Sequence, residues 1–454
     1  MRKKNSSSIV GWIILAMMLS GVVYVYNSVM FERVSPTISL KNNGYWNLRK
    51  PLELSMSDVS GIKSYRVILK TDTAQTILYD EQLIVKDNLV NIKIKPPRSA
   101  YAISDKILTI VVEVVDGSKW DFLEGNIKKE EFKLIIDKKR PMLDIVGHSY
   151  KISKGGSALV IFKVNDENLK DIRIKTNYGK EFKAQPFYKD GYYISLLAWP
   201  ITEKSFKADI IATDLAKNSS KSYIPLYLKQ KYYRVSNIKI SDRFLKGKIA
   251  DLAYEFVETQ GITDRLKQFK IINEDVRAKN EKLIHEITSK VSDEMISDFK
   301  INKMYPLRNG AVVAYFGDHR KYTYAGEPLS EAYHLGLDLA SNSLAEIRPQ
   351  NGGEVVYVDY NGLYGNMPVV SHGLGLYTLY GHCSSVNVNK GDVLEPNGFI
   401  ANSGKSGYAM GDHLHFGVLV QGIEVRPQEW MDKDWIKLNI TKVIKEAKKI
   451  IDGN

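Results

Sequence analysis

GDHLHFGV, residues Gly411 to Val418, sets two histidines one residue apart. In an extended chain successive side chains point to opposite faces, so His413, His415 and Gly417 share one face and Leu414, Phe416 and Val418 the other. The spacing predicts a strand with one buried face. Its second face carries imidazoles where solvating Lys or Glu would be expected, a costly choice unless something binds there. Spacing alone leaves open whether His413 or His415 is a ligand, since both lie on the same face.

A second stretch repeats this logic. In HLGLDLA, His334 to Ala340, the residues His334, Gly336 and Asp338 fall on one face, with Leu335, Leu337 and Leu339 on the other. Two strands thus offer His and Asp from one, and two His from the other. Such ligands suit zinc, which takes imidazole nitrogen and carboxylate oxygen, and three protein ligands plus water make the open, catalytic arrangement. Either motif alone is more often structural, so their joint occurrence carries the signal. The eight histidines are unevenly spread, and five of them, His334, His372, His382, His413 and His415, lie between positions 334 and 415. His372, in SHGLG, ends a strand beside a glycine turn, which favours a structural reading over a direct active-site role. His148, His285 and His319 have no ligand-spaced partners and read as surface or helix-face residues. Cys383 follows His382 and invites a thiolate reading, but the alternation turns it away, so it reads as a small buried hydrophobe.

Working outward, the 454 residues exceed a single core and call for several domains. Arg2, Lys3 and Lys4 precede an apolar run from Ile9 to Tyr26 broken only by Ser20 and glycines. At about 1.5 Å per residue that run spans roughly 27 Å, close to the ~30 Å hydrocarbon thickness of a bilayer. Small residues at a cleavage site are hard to find, so the run is expected to be an uncleaved anchor, with a cytoplasmic stub and span over 1–31. The basic flank keeps the N-terminus in the cytoplasm, which makes this a single-pass inner (cytoplasmic) membrane protein with everything after Asn27 on the periplasmic or extracytoplasmic side. The single cysteine excludes an intramolecular disulfide, so stability must come from cores and metals. The net charge of +12 is spread along the chain without a nucleic-acid signature, which reads as solvated faces near anionic lipid or wall, with no nucleic-acid partner.

Between anchor and histidines two segments resemble each other. PTISL at Pro36 runs on to LSMSDVSGIKSYRVILKT, and PMLDI at Pro141 runs on to FKVNDENLKDIRIKT; LTIVVEVVDGS and ADIIATDLAKNSS form a later pair. Short alternating Val/Ile/Tyr-rich runs between Asp, Asn, Gly and Lys turns predict two tandem immunoglobulin-like β-sandwich modules, 36–138 and 139–233. From Ser241 the period turns helical: Ile249, Leu252, Ala253, Phe256 and Val257, then Leu266, Phe269, Val276, Leu283 and Ile287 after Gly261, mark a helical connector over 240–300. Strands and glycine turns return over 301–436. A C-terminal helix over 437–454 has Ile440, Val443, Ile444, Ala447 and Ile451 as its apolar face. The fold class is therefore mainly β, with one N-terminal transmembrane helix, a helical connector and a C-terminal antiparallel β-sheet domain.

HLGLDLA, LYGHCSSV (Leu379 to Val386) and GDHLHFGV, in that order, resemble the lysostaphin-type, or duplicated-hybrid-motif, zinc metallopeptidases. The resemblance runs from Pro306 to about Trp430 and includes AYFGDHR, GNMPVVSHGLGLYTLYGH, NKGDVL and VRPQEW. It implies that His334, Asp338 and His415 hold one Zn2+ per chain, and that His382 and His413 are the non-ligand, catalytic histidines. An imidazole pKa near 6.5 lets such a residue hold or accept the proton of water. His413 is expected to be the general base, and His382 to steady the oxyanion or the water. Two stretches depart from the family pattern, SGKSGYAMGD at Ser403 and KYTYAGEPLSEAY at Lys321; both are expected to flank the groove and to bear on bond preference. The resemblance implies a membrane-anchored endopeptidase that hydrolyses peptide cross-links or stems of peptidoglycan, with the D-alanyl to diaminopimelate bond as the expected target in a Gram-negative wall. The alternative is a non-enzymatic scaffold or activator of other wall hydrolases, and the sandwich modules offer surface for protein partners in either case. The long stretch before residue 301 is expected to restrict access to the groove.

Overall fold

The computed structural model describes residues 6–98 and 103–453. The chain divides into two compact units, Met1–Pro141 with Asp166–Lys170 and Thr213–Ser219, and the remainder. The protein is mainly β, with one N-terminal apolar helix, α1 (Ser6–Asn27). The stretch Val10–Asn27 has a mean hydropathy of 1.7 and none of it is buried. By length and composition it can cross a membrane or serve as a signal sequence. The basic flank Arg2, Lys3 and Lys4 lies outside the described residues.

In the first unit, strands β1 (Thr37–Lys41), β2 (Tyr45–Trp46), β3 (Leu52–Lys70), β4 (Gln75–Ile94), β5 (Ile107–Asp116) and β6 (Ile127–Ile136) form one sheet in the order β1-β3-β5-β6-β2, with β4 on β3. The sandwich pattern leads one to expect two separately bonded sheets. Instead β3 and β4 run through the whole module and shift register between Ser57 and Ser64. Across that irregularity the buried parity of β3 changes, from Leu52, Leu54 and Met56 to Tyr65, Val67 and Leu69. An irregularity of this kind lets a strand turn a corner and keep its apolar side chains on the core. Trp46, Ile110, Val112, Val114 and Leu134 complete that core.

Residues 142–229, which apart from 166–170 and 213–219 belong to the second unit, carry two four-stranded sheets. One contains Met142–His148, Ser157–Asn165 and Tyr192–Ala198, and the other Leu169–Thr176 and Ala208–Asp214. This module is fastened to the C-terminal part. Gln421, 2% exposed, donates to Lys183 O and Leu196 O, and Glu429 accepts from Ser157 N at 3.0 Å. The C-terminal helix (Lys442–Asp452) packs Val443 and Ala447 on Gly147 of the Met142–His148 strand, while Ile444 is buried and Ile451 half-buried.

The C-terminal sheet places Ala311–Ala314, Leu337–Ala340, Leu414–Val420, Leu376–Gly381, Asn366–Ser371, Gly353–Tyr360 and Val393–Leu394 side by side in that order, with Ile423–Val425 also on Leu414–Val420. The described pairings are antiparallel. The helical stretches 242–255 and 265–288 lie against this sheet. Asp264 caps the second, accepting from Leu266 N and Lys267 N. The helical stripe of the sequence holds for Ile249, Leu252, Ala253, Phe256, Phe269 and Val276, which are buried, but Val257 is 64% exposed. The wider turn at Ile272–Val276 adds one residue, so the buried face continues through Asn280, Ile284 and Thr288 and leaves Leu283 partly exposed.

Ile249, Phe269 and Ile272 share one apolar cluster with Tyr364 and with Met367, Val369, Tyr377, Leu379 and Leu419 of the sheet. A fragment from Lys303 to Asn454 would uncover that face. Apolar burial is worth ~25 cal/mol per Å2 and a domain's margin is only about 5–15 kcal/mol, so uncovering that face works against the fragment's stability. We expect such a fragment to aggregate where the full chain stays soluble, as read by soluble yield and melting; a soluble fragment with an unchanged melting temperature is the contrary result.

Candidate metal centre

Antiparallel pairing sets Asp338 directly opposite His415, with Leu337 facing Phe416 and Leu339 facing Leu414. The four apolar partners are fully buried, which fixes the register and keeps the polar pair on the other face. His334 precedes the Asp338 strand in a turn bonded at both ends, Gly317 N to His334 O at 2.7 Å and His334 N to Asp318 O at 3.0 Å. Gly336 is required here, because a Cβ would lie 2.4 Å from His415 Nε2.

Three atoms converge. His334 Nε2, Asp338 Oδ1 and His415 Nδ1 lie 3.0, 2.9 and 3.1 Å apart in pairs. The other nitrogen of His334 is 2.9 Å from Tyr315 O, so Nδ1–H donates there and Nε2 is left with its lone pair. Burial opposes ionisation of Asp338, yet His334 and His415 outweigh it and hold the carboxyl well below its ordinary range. Two imidazole nitrogens and one carboxylate oxygen in a triangle of about 3 Å are the donor set of an open zinc site, so the residues present fit that ion. Among the described residues two other groups of three acids have ligand atoms within 4.8 Å of one another, Glu32, Asp58 and Asp116, and Asp137, Asp166 and Asp214. Neither contains a nitrogen ligand.

His382 and His413 join the same place, with ring centroids 4.8 Å apart and that of His382 5.8 Å from His415. His382 sits at φ 65°, in the left-handed region, and its Nδ1–H donates to Ser406 O at 2.9 Å. Burial, then the neighbouring His415 and His413, push its imidazole down to about 3, so it is neutral and presents Nε2 as an acceptor. His413 is less buried; its Nδ1 is 2.8 Å from Gly411 O and its Nε2 is 3.7 Å from Asp338 Oδ2.

The five residues read from the sequence therefore meet at one end of a groove of about 640 Å3. Both divergent stretches reach it, through Tyr322 and Tyr333 and through Tyr408 to Asp412. The strand Val235–Lys239 and the helical stretches after it also line the groove, with Ile238 to Ser241, Phe244 and Arg277, and Phe244 is stacked on Tyr408 at 6.1 Å. Three further residues at this site were not legible in the sequence. Tyr364 stands edge-on to His415 at 5.3 Å between ring centroids. Arg320 Nη2 lies 4.0 Å from Asp338 Oδ2, and Arg277 reaches the groove from a helix remote in sequence. A tyrosine and arginines at ordinary spacings carry no local signal.

The remaining histidines lie elsewhere. His372 bridges Gly352 O and Thr378 Oγ1, both at 2.8 Å, and burial pushes it down to about 4. His319 stacks on Tyr333 and meets Glu331; His285 meets Glu424 at 2.8 Å. Cys383 is buried with Sγ on Tyr380 O, and burial pushes its thiol up to about 12. Near His285, burial and then Glu424 push the Glu281 carboxyl up to about 7 from an ordinary 4.5. A folded pKa above the unfolded one makes the native state hold an extra proton between the two values, so stability falls as pH rises through that window and stays lower above it. Glu281→Gln is expected to raise the unfolding free energy obtained from urea titration at pH 8 by about 1–2 kcal/mol, after allowing for partial exposure, and to change little at pH 4. An equal effect at both pH values would contradict this.

Residues 332–427 match the sequence model of Peptidase family M23. Over 102 residues the chain is 33% identical to stage II sporulation protein Q of Bacillus subtilis (strain 168), covering 22% of this chain and 36% of that protein. Over 96 residues it is 32% identical to DD-carboxypeptidase/endopeptidase Mpg of Neisseria meningitidis serogroup B, covering 21% and 22%. Over 112 residues it is 30% identical to the murein hydrolase activator EnvC of Escherichia coli (strain K12), covering 25% and 27%. The chain thus spans about a third or less of the length of these relatives.

Proposed function

We propose that the protein is a zinc metalloendopeptidase that hydrolyses peptide cross-links or stems of peptidoglycan, tethered to the cytoplasmic membrane by α1 with its catalytic domain outside. The observation that carries this reading is the triangle of His334 Nε2, Asp338 Oδ1 and His415 Nδ1 beside two further histidines in one groove. Those three residues would hold one zinc ion, which when bound supplies Lewis acidity and lowers the pKa of a water to about 7. His413, with Nδ1–H on Gly411 O, offers Nε2 to take the proton of the attacking water and return it to the departing amine. His382, neutral and with Nδ1–H on Ser406 O, accepts a hydrogen bond from that water at Nε2, which favours orienting the water over donating to an oxyanion. The groove between the Tyr322 and Tyr408 walls positions the peptide, with Arg277 and Arg320 available to its carboxylates.

The second reading is an activator of other hydrolases, supported by the likeness to a murein hydrolase activator. One experiment separates the two. Full-length protein is assayed for zinc by elemental analysis and for release of cross-linked muropeptides by mass, before and after chelation. About one zinc per chain with chelator-sensitive cleavage supports the peptidase; a metal-free protein that cleaves nothing alone supports the activator.

A further inference from the structure

We propose that the corner of the first module beside α1 is a lipid-facing surface, seated in the interfacial layer of the bilayer that α1 crosses. This rests on the anchoring reading above. Three segments meet at that corner: the irregular parts of β3 and β4, 58–61 and 83–88, and the β5–β6 connection, 117–125. They are tied to one another, Gly117 N donating to Gly61 O and Lys86 Nζ to Gly117 O, both at 2.6 Å. They are also tied to the residues that follow α1. Ser60 Oγ donates to Val29 O at 3.1 Å, Lys119 N to Met30 O at 2.7 Å and Ser118 Oγ to Glu32 O at 2.7 Å. Because α1 ends at Asn27, the corner sits within a few residues of the point where the chain leaves the bilayer.

That corner is apolar where it has no protein to cover it. Ile84 is 103% exposed, Val85 79% and Phe122 97%, with Val59 and Leu123 also exposed. Singly exposed apolar side chains are ordinary, but these come from three segments gathered at one place. Asp121, Phe122 and Leu123 all have positive φ, 50°, 54° and 79°, a backbone that L-residues rarely adopt. The turn leaves Phe122 and Leu123 outside the module core. Arg33 links this loop to the helix, its guanidinium 4.8 Å from the Tyr26 ring and 4.3 Å from the Trp120 ring. Tyr, Trp and Arg at the end of an apolar helix are the chemistry of a membrane interface, where amphipathic rings sit at headgroup depth. The same corner carries Glu32, Asp58, Asp87, Asp116, Asp121 and Glu124 beside Arg33, Lys63, Lys86 and Lys119, so its charge is mixed. Apolar insertion, rather than attraction to anionic lipid, is therefore the mode of contact.

The test uses the full chain in phosphatidylcholine vesicles, washed with alkaline carbonate. Cys383 is buried and stays unlabelled, so Ile84→Cys, Val85→Cys, Phe122→Cys and Thr73→Cys each take one environment-sensitive fluorophore. Thr73 is the control, since the eight steps from Ile62 to Lys70 carry β3 about 26 Å from the corner at ~3.3 Å each. The expected result is severalfold stronger quenching of the 84, 85 and 122 probes by brominated lipid than by aqueous iodide, and the reverse for 73. Probes at the corner as open to iodide as that at 73, in carbonate-resistant protein, overturn the proposal. So do probes shielded from both quenchers, which would mean a protein covers the corner. Complete release by carbonate instead removes the anchoring reading, and the proposal with it. Because these positions are exposed, three independent sites keep the result readable if one variant misfolds.

Discussion

Asp338→Asn and His415→Ala are each expected to lose stoichiometric zinc and to release muropeptides at least about 10^3-fold more slowly, a barrier increase of ~4 kcal/mol. Each removes one corner of a three-atom triangle whose sides are 2.9 to 3.1 Å. Two remaining donors cannot complete the three-ligand open arrangement. Asp338 has the larger part because its Oδ1 faces both imidazoles, so its amide replacement leaves His334 and His415 without an anionic neighbour. A readout independent of turnover follows from linkage: a ligand that binds only the folded state at a thousand times its Kd adds about 4 kcal/mol. Zinc should therefore raise the melting temperature of the parent and leave both variants unmoved. One zinc per chain and undiminished release in His415→Ala would defeat the ligand assignment.

What the sequence disclosed about this centre follows from strand alternation. HLGLDLA and GDHLHFGV each place polar residues on one face and apolar ones on the other, and pairing Leu337 with Phe416 and Leu339 with Leu414 then forces Asp338 against His415. His334 was legible only as a residue on that face; its position comes from the turn bonded to Gly317 and Asp318. Long-range neighbours were not legible. Arg277 enters the groove because an extra residue at Ile272–Val276 rotates the helix that follows, and no local periodicity announces that insertion. Repeats and turn residues carry the expectation of two modules, whereas the single bonded sheet over residues 37–136 has no such signal. A strand that changes sheet layer at an irregularity has the same composition as two shorter strands separated by a turn. The apolar stripe of the helical stretches packs against the sheet that bears the site.

His413→Ala should divide what His415→Ala merges: zinc retained at one per chain, KM little changed, and kcat lower by about 10^2–10^4, the usual worth of a positioned general base. Both histidines leave the same strand face, yet their surroundings differ. His415 is buried, and its Nδ1 is 2.9 Å from Asp338 Oδ1. The nearest approach of His413 to that carboxylate is 3.7 Å from Nε2 to Oδ2, beyond hydrogen-bonding reach, and it stands at the less buried, groove-lining start of the strand. An imidazole so placed is free to exchange a proton without giving up a ligand bond. His382 shares the pocket but is buried and neutral, with one nitrogen committed to Ser406 O. His382→Ala should therefore also keep zinc, but lower kcat less than His413→Ala, since it takes away the orientation of the water and leaves the proton acceptor. Loss of zinc in His413→Ala, or a larger drop in His382→Ala at full zinc occupancy, would exchange or dissolve these roles.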